Sequence, residues 1–205
     1  IASDFFAGSA LKGRPALVVS SCLNTNPMMI YFGQEFGERG MDQEGFSGCD
    51  GRTTIFDFWA IESMQQLIGK DHSYRKSRIR KRENEVREYY LSLLNLAQSN
   101  VFVRGQFYDL TYCNYDNPGF DIHRQYAFLR NAGKEVALVV ANFDADEKQV
   151  AVNIPIQAWD YVGIKDNRRR HFQNMLTGEW WFEEHDLSKP FTVKVPGYGA
   201  VIIRL

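Results

Sequence analysis

The sequence predicts an α+β fold, with a helical first part and a second part made of short antiparallel strands. Apolar residues between Asn84 and Ala97 recur at helical spacing without interruption, which predicts an amphipathic helix. From Val101 onward, short segments rich in β-branched and aromatic residues alternate with turn residues, as is typical of an antiparallel sandwich or barrel. The apolar run Met28–Phe32 stops abruptly at Gly33 and predicts a strand that is covered on both faces.

The overall composition is that of a globular protein and argues against several classes of function. Of the 205 residues, 44% are hydrophobic and 24% are charged, and the net charge is -1. This charge gives no reason to expect a nucleic acid or a membrane surface as partner, and no apolar run approaches the ~20 residues that span a bilayer. The three cysteines show no CxxC spacing and the four histidines are scattered, so we expect no disulfide framework, no metal and no cofactor.

The first part reads as a helix, a turn, a strand and a long loop. Residues 14–24 are apolar nearly all round and have a proline, Pro15, in the first turn, where it is tolerated. They therefore predict a buried helix. The predicted strand at 28–32 completes half of a βαβ unit. Residues 33–55 have no periodicity, and a further helix is predicted over 57–68, with Gly69 as its C-terminal stop.

A basic run follows this helix and allows two interpretations. It contains Arg75, Lys76, Arg78, Arg80, Lys81 and Arg82. Such a run can bind phosphates or nucleic acid, or it can be a solvated connection whose charge is compensated by neighbouring glutamates. The near-zero net charge of the chain favours the second interpretation.

The second part contains eight predicted strands, and the change of character near residue 100 predicts a domain boundary. Turns rich in Gly, Pro, Asn and Asp separate the segments. The predicted strands are Val101–Val103, Gln106–Leu110, Gln125–Arg130, Glu135–Phe143, Gln149–Ile154, Trp180–Phe182, Thr192–Val195 and Ala200–Leu205.

The chemistry that the residues favour is that of carboxylates. The sequence has no GxSxG elbow, no GxGxxG and no Walker sequence, so nucleophilic serine chemistry and nucleotide binding lack their usual signals. Six acidic residues lie in or beside the long loop: Glu35, Glu38, Asp42, Glu44, Asp50 and Asp57. Paired carboxylates serve glycoside hydrolysis, although by composition alone these residues equally describe an exposed loop.

The order of residues resembles glycoside hydrolase family 13, the α-amylase family. The string from Pro27 to Gly37 resembles that family's eighth barrel strand and the polar residues that follow it. Asp50-Gly51-Arg52 and then Phe56–Trp59 resemble its next signature, in which an arginine precedes a hydrophobic-x-Trp segment.

The resemblance continues in order through the second half. Val86–Leu94 with Gly105–Leu110 is similar to the family's eighth helix and the entry to its C-terminal domain. Tyr126–Arg130 with Val139–Phe143 is similar to paired strands of that domain, and Val195–Ile202 is similar to its last turn and strand. The resemblance therefore implies that residues 1–99 are the last part of a TIM (β/α)8 barrel and residues 100–205 an antiparallel β-sandwich.

The resemblance also implies what this chain lacks. Family members are retaining enzymes that use an Asp nucleophile, a Glu acid/base and a second, stabilising Asp. Ile1–Gly8 resembles the helix start that follows the last of these, so we expect none of the three in this sequence. The positions of Asp4, Glu35 and Asp50 match no catalytic residue. The implied parent acts on α-glucans or maltodextrins, and the chain alone is expected to be inactive.

Three residues remain as candidates for substrate binding: Glu35, Asp50 and Arg52. Glu35 follows the predicted strand, where it could brace neighbouring strands or line a sugar subsite. Asp50 and Arg52 could form a bidentate ion pair or reach sugar hydroxyls.

Two other functions remain open at this stage. The aromatic-rich sandwich could be a non-catalytic carbohydrate-binding module, and the basic run could bind nucleic acid. Helix 14–24 and strand 28–32 would expose apolar faces without barrel neighbours. We therefore expect the chain to associate with a missing N-terminal barrel portion or with a second copy of itself.

Overall fold

The computed structural model describes residues 9–38, 62–165 and 169–205, and its described residues fall into two compact units. The first, here called the helical unit, comprises residues up to 14 together with 28–92. The second, here called the β unit, comprises residues 15–27 together with 93–205. The division of the chain at residue 99/100 into barrel portion and sandwich stays a prediction.

The helical unit is built mainly from α2 (Glu62–Ile68) and most of α3 (Lys81–Ala97), with short 3-10 helices at Gln34–Phe36 and Lys76–Arg78. The periodicity of residues 84–97 is confirmed, since Val86 and Tyr90 lie on one buried side of α3. The helix starts earlier than its apolar pattern because the Glu83 carboxylate accepts a hydrogen bond from the Arg80 backbone N–H at 3.0 Å. This hydrogen bond, which is one half of a capping box, fixes the first turn before the apolar stripe begins.

The predicted buried strand at 28–32 is wrong. These residues form no strand, and Met29 is 87% exposed. A strand requires hydrogen-bonding partners on a neighbouring strand, and no strand in the described ranges pairs with this segment. Its apolar composition alone could not supply that partner.

The β unit contains α1, α4, α5 and eight strands in two sheets. Its helices are α1 (Arg14–Cys22, with Arg14 in the helical unit), α4 (Asn100–Val103) and α5 (Ile156–Tyr161). The strands are β1 (Gln106–Asp109), β2 (Gln125–Ala132), β3 (Glu135–Asn142), β4 (Lys148–Val152), β5 (Arg169–Asn174), β6 (Trp180–Glu184), β7 (Phe191–Val195) and β8 (Gly199–Arg204). One sheet has the order β1-β2-β3-β8-β5-β6 and the other pairs β4 with β7, and every described pairing is antiparallel.

The two sheets enclose a common hydrophobic core. Alternate residues of the larger sheet, such as Leu129 and Leu138, contribute to one cluster with Val150 and Phe191 of the smaller sheet. Trp159 on α5 joins the same cluster. The unit is therefore a β-sandwich, as the regular spacing of short strands predicted.

The larger sheet is covered on its other face as well. Phe128, Val139 and Ile202 belong to that second face and are fully buried. Helix α4 packs against β2 and β3 there. This explains why the middle strands have nearly continuous apolar sequences instead of the alternation that a half-exposed sheet shows.

The remaining corrections concern short segments, for which the sequence pattern cannot decide between helix and strand. Residues 101–103, predicted as a strand, form part of α4, because a short apolar run fits a buried helical turn as well as a strand. Strand β5 and helix α5 were not predicted, since β5 begins in a polar, basic stretch and α5 has only 6 residues. The mixed α and β content with an antiparallel sheet is confirmed.

Candidate functional site

The segment after the predicted strand forms a tight turn that glycines make possible. Gly33 and Gly37 flank the 3-10 helix Gln34–Phe36 and both have positive φ, at 84° and 78°. Only glycine adopts this backbone region without strain. An added Cβ at Gly37 would also lie 3.2 Å from the Ala10 side chain, so the turn is closely packed within the helical unit.

Gln34 attaches this turn to α3. Its Nε2 donates a hydrogen bond of 2.9 Å to the Tyr90 hydroxyl, and its Oε1 accepts one of 3.1 Å from the Tyr31 backbone N–H. Burial raises the pKa of Tyr90 to about 12, and the Glu35 carboxylate adds to this rise although the Gln34 hydrogen bond opposes it. The turn thus presents a glutamine in a structural role beside a protonated tyrosine.

Of the three predicted substrate-binding residues, the structure describes one. Glu35 lies half-buried in the 3-10 helix, close enough to influence the pKa of Tyr90. Asp50 and Arg52 lie outside the described residues. Whether the three bind substrate therefore stays a prediction.

Another acid of this region has a structural role. The Glu38 Oε2 atom accepts a hydrogen bond of 3.3 Å from the Ser63 backbone N–H in the first turn of α2. A carboxylate at this position stabilises the helix N-terminus and its unpaired donors. Of the six clustered acids, Glu38 therefore has a role in local folding.

The basic run makes ion pairs with acids close to it in sequence. Arg75 and Arg78 both contact Asp71, with N–O distances of 2.8 and 2.9 Å. Arg80 pairs with Glu83 at 2.5 Å, and Lys76 lies 3.6 Å from Glu88. These pairs agree with a solvated, locally neutralised connection; that the chain binds no nucleic acid stays a prediction.

The β unit carries an exposed group of aromatic rings that the sequence analysis did not identify. We define the tyrosine cluster as Tyr108 on β1, Tyr112 in the loop after β1, and Tyr161 at the end of α5. The Tyr108 and Tyr112 hydroxyl oxygens lie 2.7 Å apart, and the Tyr108 and Tyr161 ring centroids lie 5.2 Å apart. Tyr161 is remote in sequence from the other two tyrosines, so no local pattern relates the three rings.

A second exposed aromatic group, here called the hairpin patch, lies on the β5–β6 hairpin. His171 and Phe182 are cross-strand partners with ring centroids 4.5 Å apart, and Trp180 lies two residues from Phe182 on the same side of β6. Phe182 and Trp180 are each more than half exposed. Strand β6 also ends the larger sheet within the described part of the chain.

The remaining candidate site is a cavity of about 520 Å³ beside α5. It is lined by Ile154, Pro155, Ile156, Lys165, Asp186, Leu187 and Ser188. Hydrogen bonds from Ser188 lower the pKa of Asp186, so this carboxylate is ionised and already has partners. In the described ranges no group of three or more His, Cys, Asp or Glu residues could hold a metal ion, and no helix is long and apolar enough to cross a membrane.

Comparison with protein families assigns the second part of the chain. Residues 115–205 match the family model of the α-amylase C-terminal all-β domain. The match covers β2 to β8 and α5, that is, most of the sandwich. Comparison with curated proteins gives no significant match.

Solved structures with a similar fold include several α-amylases. A noncanonic maltogenic α-amylase, AmyB, from Thermotoga neapolitana is 18% identical, with a TM-score of 0.59 over 98% of this chain and 37% of that one. AmyP in complex with maltose is 12% identical, with a TM-score of 0.58 over 97% and 35%. The α-amylase from H. orenii is 18% identical, with a TM-score of 0.52 over 98% and 36%.

These identities show the fold alone, and this chain spans about a third of the length of the three proteins. The family match is independent of that likeness and falls on the sandwich that the structure describes. The resemblance found in the sequence is confirmed over residues 115–205, which match the family model of the α-amylase C-terminal all-β domain, and over the rest of the chain the α-amylases share the fold.

Proposed function

We propose that this chain is the C-terminal part of a retaining, α-glucan-acting glycoside hydrolase of family 13 and that it is inactive alone. The observation that carries the proposal is the family match of residues 115–205 on a chain whose fold follows α-amylases over nearly its whole length. The last part of the catalytic barrel would lie in residues 1–99 and the supporting sandwich in 100–205.

The proposed inactivity rests on the chemistry of retaining glycosidases. These enzymes need a carboxylate nucleophile and a second carboxylate as acid/base, held about 5–5.5 Å apart across the scissile bond. By the motif resemblance, the three family carboxylates have no counterpart in this sequence. Glu35, with Asp50 and Arg52, would then brace the barrel mouth or contact sugar hydroxyls.

The proposed substrate class is an α-glucan or maltodextrin. Among the proteins of similar fold, AmyP was solved with maltose and a variant of it with maltotriose. Those ligands belong to those proteins, and we transfer them to the parent of this chain as a proposal. The proposed partner of the helical unit is the N-terminal barrel portion or, in its absence, a second copy of the chain.

The test is an activity assay on the purified 205-residue chain. We expect no release of reducing sugar from starch or maltodextrin at any protein concentration, while a complete α-amylase serves as positive control. The intact mass of the natural protein is measured in parallel and is expected to exceed 23.7 kDa at least about twofold, in line with the length of family barrels. Turnover by the chain itself would contradict the proposal.

A second candidate function, a non-catalytic carbohydrate-binding module, is favoured by the exposed rings of the β unit. Tyr112, Tyr161 and Trp180 are each more than about two fifths exposed. Exposed aromatic rings that lie close together, as Tyr112 and Tyr161 do through Tyr108, are typical of a ligand-binding surface. Titration with maltooligosaccharides separates the two functions, since a module binds them without any larger protein present.

A further inference from the structure

The cavity beside α5, here called the α5 cavity, is formed by three segments of the β unit that lie far apart in the sequence. They are residues 154–156 between β4 and α5, Lys165 after α5, and residues 186–188 between β6 and β7. The volume of about 520 Å³ lies within the range of roughly 300–1,000 Å³ that small-molecule sites occupy. The cavity is therefore large enough for a small organic ligand.

Much of the α5 cavity is lined by apolar side chains of the hydrophobic core. Ile154 is 5% exposed and belongs to the core cluster, and Leu187 is partly buried against the same cluster. Pro155 and Ile156 also line the cavity, and Ile156 is 57% exposed. A ligand with an apolar body would remove this surface from water, which favours binding.

The backbone on two sides of the cavity is held by hydrogen bonds. The N–H of Ile164, a buried residue, donates to the Trp159 carbonyl at 2.9 Å, which anchors the chain just before Lys165 to α5. In the turn between β6 and β7, the Asp186 carboxylate accepts from the Ser188 N–H at 3.0 Å and from its hydroxyl at 2.7 Å. Because the cavity is preformed, little conformational entropy is lost when a ligand enters.

One positive charge at the α5 cavity is not compensated. The Asp186 carboxylate lies 3.7 Å from the Lys189 ammonium, so the negative charge of the lining already has a partner. The Lys165 side chain is exposed and forms no ion pair or hydrogen bond with any residue of 9–38, 62–165 and 169–205. The remaining charge therefore favours an anion over a cation.

A buried donor beside the lining residues also has no partner. Trp159 lies one turn of α5 after Ile156, and its ring centroid is 5.9 Å from that of His185, the residue before Asp186. Trp159 is 2% exposed, and its Nε1 atom has no hydrogen-bond acceptor in the described part of the chain. Native proteins leave few buried N–H groups without an acceptor, so an acceptor from outside the chain is expected near this residue.

We propose that the α5 cavity binds a small monocarboxylate with a short aliphatic body. The carboxylate would pair with Lys165, and the aliphatic body would lie on Ile154, Pro155 and Leu187. An aliphatic body fits because no aromatic side chain lines the cavity. The site goes beyond the proposed action of the parent on α-glucans, because it uses neither a sugar nor a residue of the barrel portion.

The test is a titration of the 205-residue chain with hexanoate, followed by heteronuclear NMR of the backbone amides and the tryptophan indoles. We expect saturable shifts of the Leu187 and Ser188 amides and of the Trp159 indole N–H, with a dissociation constant of about 5 mM or tighter. Hexan-1-ol has the same body without the charge and should bind roughly threefold to fivefold more weakly, the effect of losing one exposed ion pair. Hexylamine should bind at least about tenfold more weakly.

Two variants separate the contribution of charge from that of the apolar surface. Lys165→Gln should weaken hexanoate binding roughly threefold to fivefold and leave hexan-1-ol binding unchanged. Ile156→Ala should weaken the binding of both probes roughly twofold to threefold, and it should keep the fold because Ile156 is exposed. The matched control is Lys134→Gln, which removes the charge of an exposed lysine in the β2–β3 turn and should leave hexanoate binding unchanged.

Three results would overturn the proposal. They are the absence of saturable shifts up to about 50 mM hexanoate, binding of hexylamine as tight as that of hexanoate, and equal weakening by Lys165→Gln and Lys134→Gln. Thermal unfolding of each variant verifies that the fold is kept. The titration does not measure turnover, so its failure is distinguishable from a failure of the proposed function of the parent.

Discussion

At the scale of single residues, Arg130 is the most demanding side chain of the β unit. It is 1% exposed, and its guanidinium donates to the carbonyls of Leu23 and Phe102 at 2.8 Å and of Val101 at 3.5 Å. These carbonyls belong to the C-terminal ends of α1 and α4, where helices leave oxygens unpaired and carry partial negative charge. One buried cation thus joins two helix ends to β2.

Replacing Arg130 tests this role. Arg130→Met should lower the free energy of unfolding of the β unit by about 3 kcal/mol, because buried carbonyls lose their donors. The free energy of unfolding of Arg130→Lys should lie between those of the natural protein and Arg130→Met, since lysine keeps the charge but not the planar set of donors. Urea denaturation followed by tryptophan fluorescence measures the change, with Arg204→Met as control because Arg204 is exposed on the same sheet. An equal shift for both variants would refute the prediction.

Tyr90 gives a residue-scale prediction on pH. Its folded-state pKa is raised to about 12, mainly by burial, from an ordinary value near 10. The folded state therefore holds this proton more tightly than the unfolded state, so its contribution to stability is complete below about pH 10 and is lost as the pH approaches about 12. Between these pH values, the denaturation midpoint should fall less steeply with rising pH in Tyr90→Phe than in the natural protein. Parallel pH profiles for the two proteins would show that Tyr90 is not responsible.

At the scale of elements, the loop between β1 and β2 is ordered by amide side chains. Asn114 is fully buried and donates to the carbonyls of Leu110 and Asn153 at 2.7 and 3.1 Å. Its own oxygen accepts from the Asn153 backbone N–H at 2.9 Å and from Asn117 at 2.7 Å. The loop is thus hydrogen-bonded to Asn153, just after β4, through a side chain and not through sheet pairing.

Removing the Asn114 amide should release this loop. Asn114→Ala leaves buried donors and acceptors without partners, and we expect a loss of about 2–4 kcal/mol in the free energy of unfolding. Asp116→Ala, in the same loop but exposed, is the matched control and should cost less than about 0.5 kcal/mol. Hydrogen exchange of the 111–120 amides provides a second readout, and unchanged protection in Asn114→Ala would argue against the role.

At the scale of the whole molecule, the hairpin patch predicts self-association of the isolated chain. It combines two exposed aromatic side chains with an edge strand whose outer backbone groups face no strand in the described ranges. Such edges pair with other chains unless charge or proline blocks them, and β6 carries charge only at its last two residues, Glu183 and Glu184. Sedimentation velocity should show dimers growing with concentration, and Phe182→Lys should reduce them at least about tenfold by placing a charge in the interface. Ile156→Lys, an exposed residue on α5, is the control, and a monomer at all concentrations would count against the prediction.

The sequence by itself determined the elements whose signal is local. The spacing from Val86 to Ala97 is sufficient for α3, and short apolar runs bounded by turn residues are sufficient for β2, β3 and β8. Motif order along the chain was also sufficient to indicate the resemblance to α-amylases, since order does not depend on coordinates, and the family match of residues 115–205 confirms it for the all-β domain. The local apolar pattern was not sufficient at residues 28–32, where an apolar run was interpreted as a strand.

Only the tertiary structure decided features that depend on contacts between distant residues. A strand exists only where another strand pairs with it, so residues 28–32 could not be assigned from composition. Arg130 resembles any surface arginine in the sequence until three remote carbonyls surround it. Tyr161 stands 49 positions after Tyr112, as their numbers show, and no periodic pattern relates them. The tyrosine cluster exists because the sandwich brings α5 beside β1, and long-range packing of this kind leaves no local trace in a sequence.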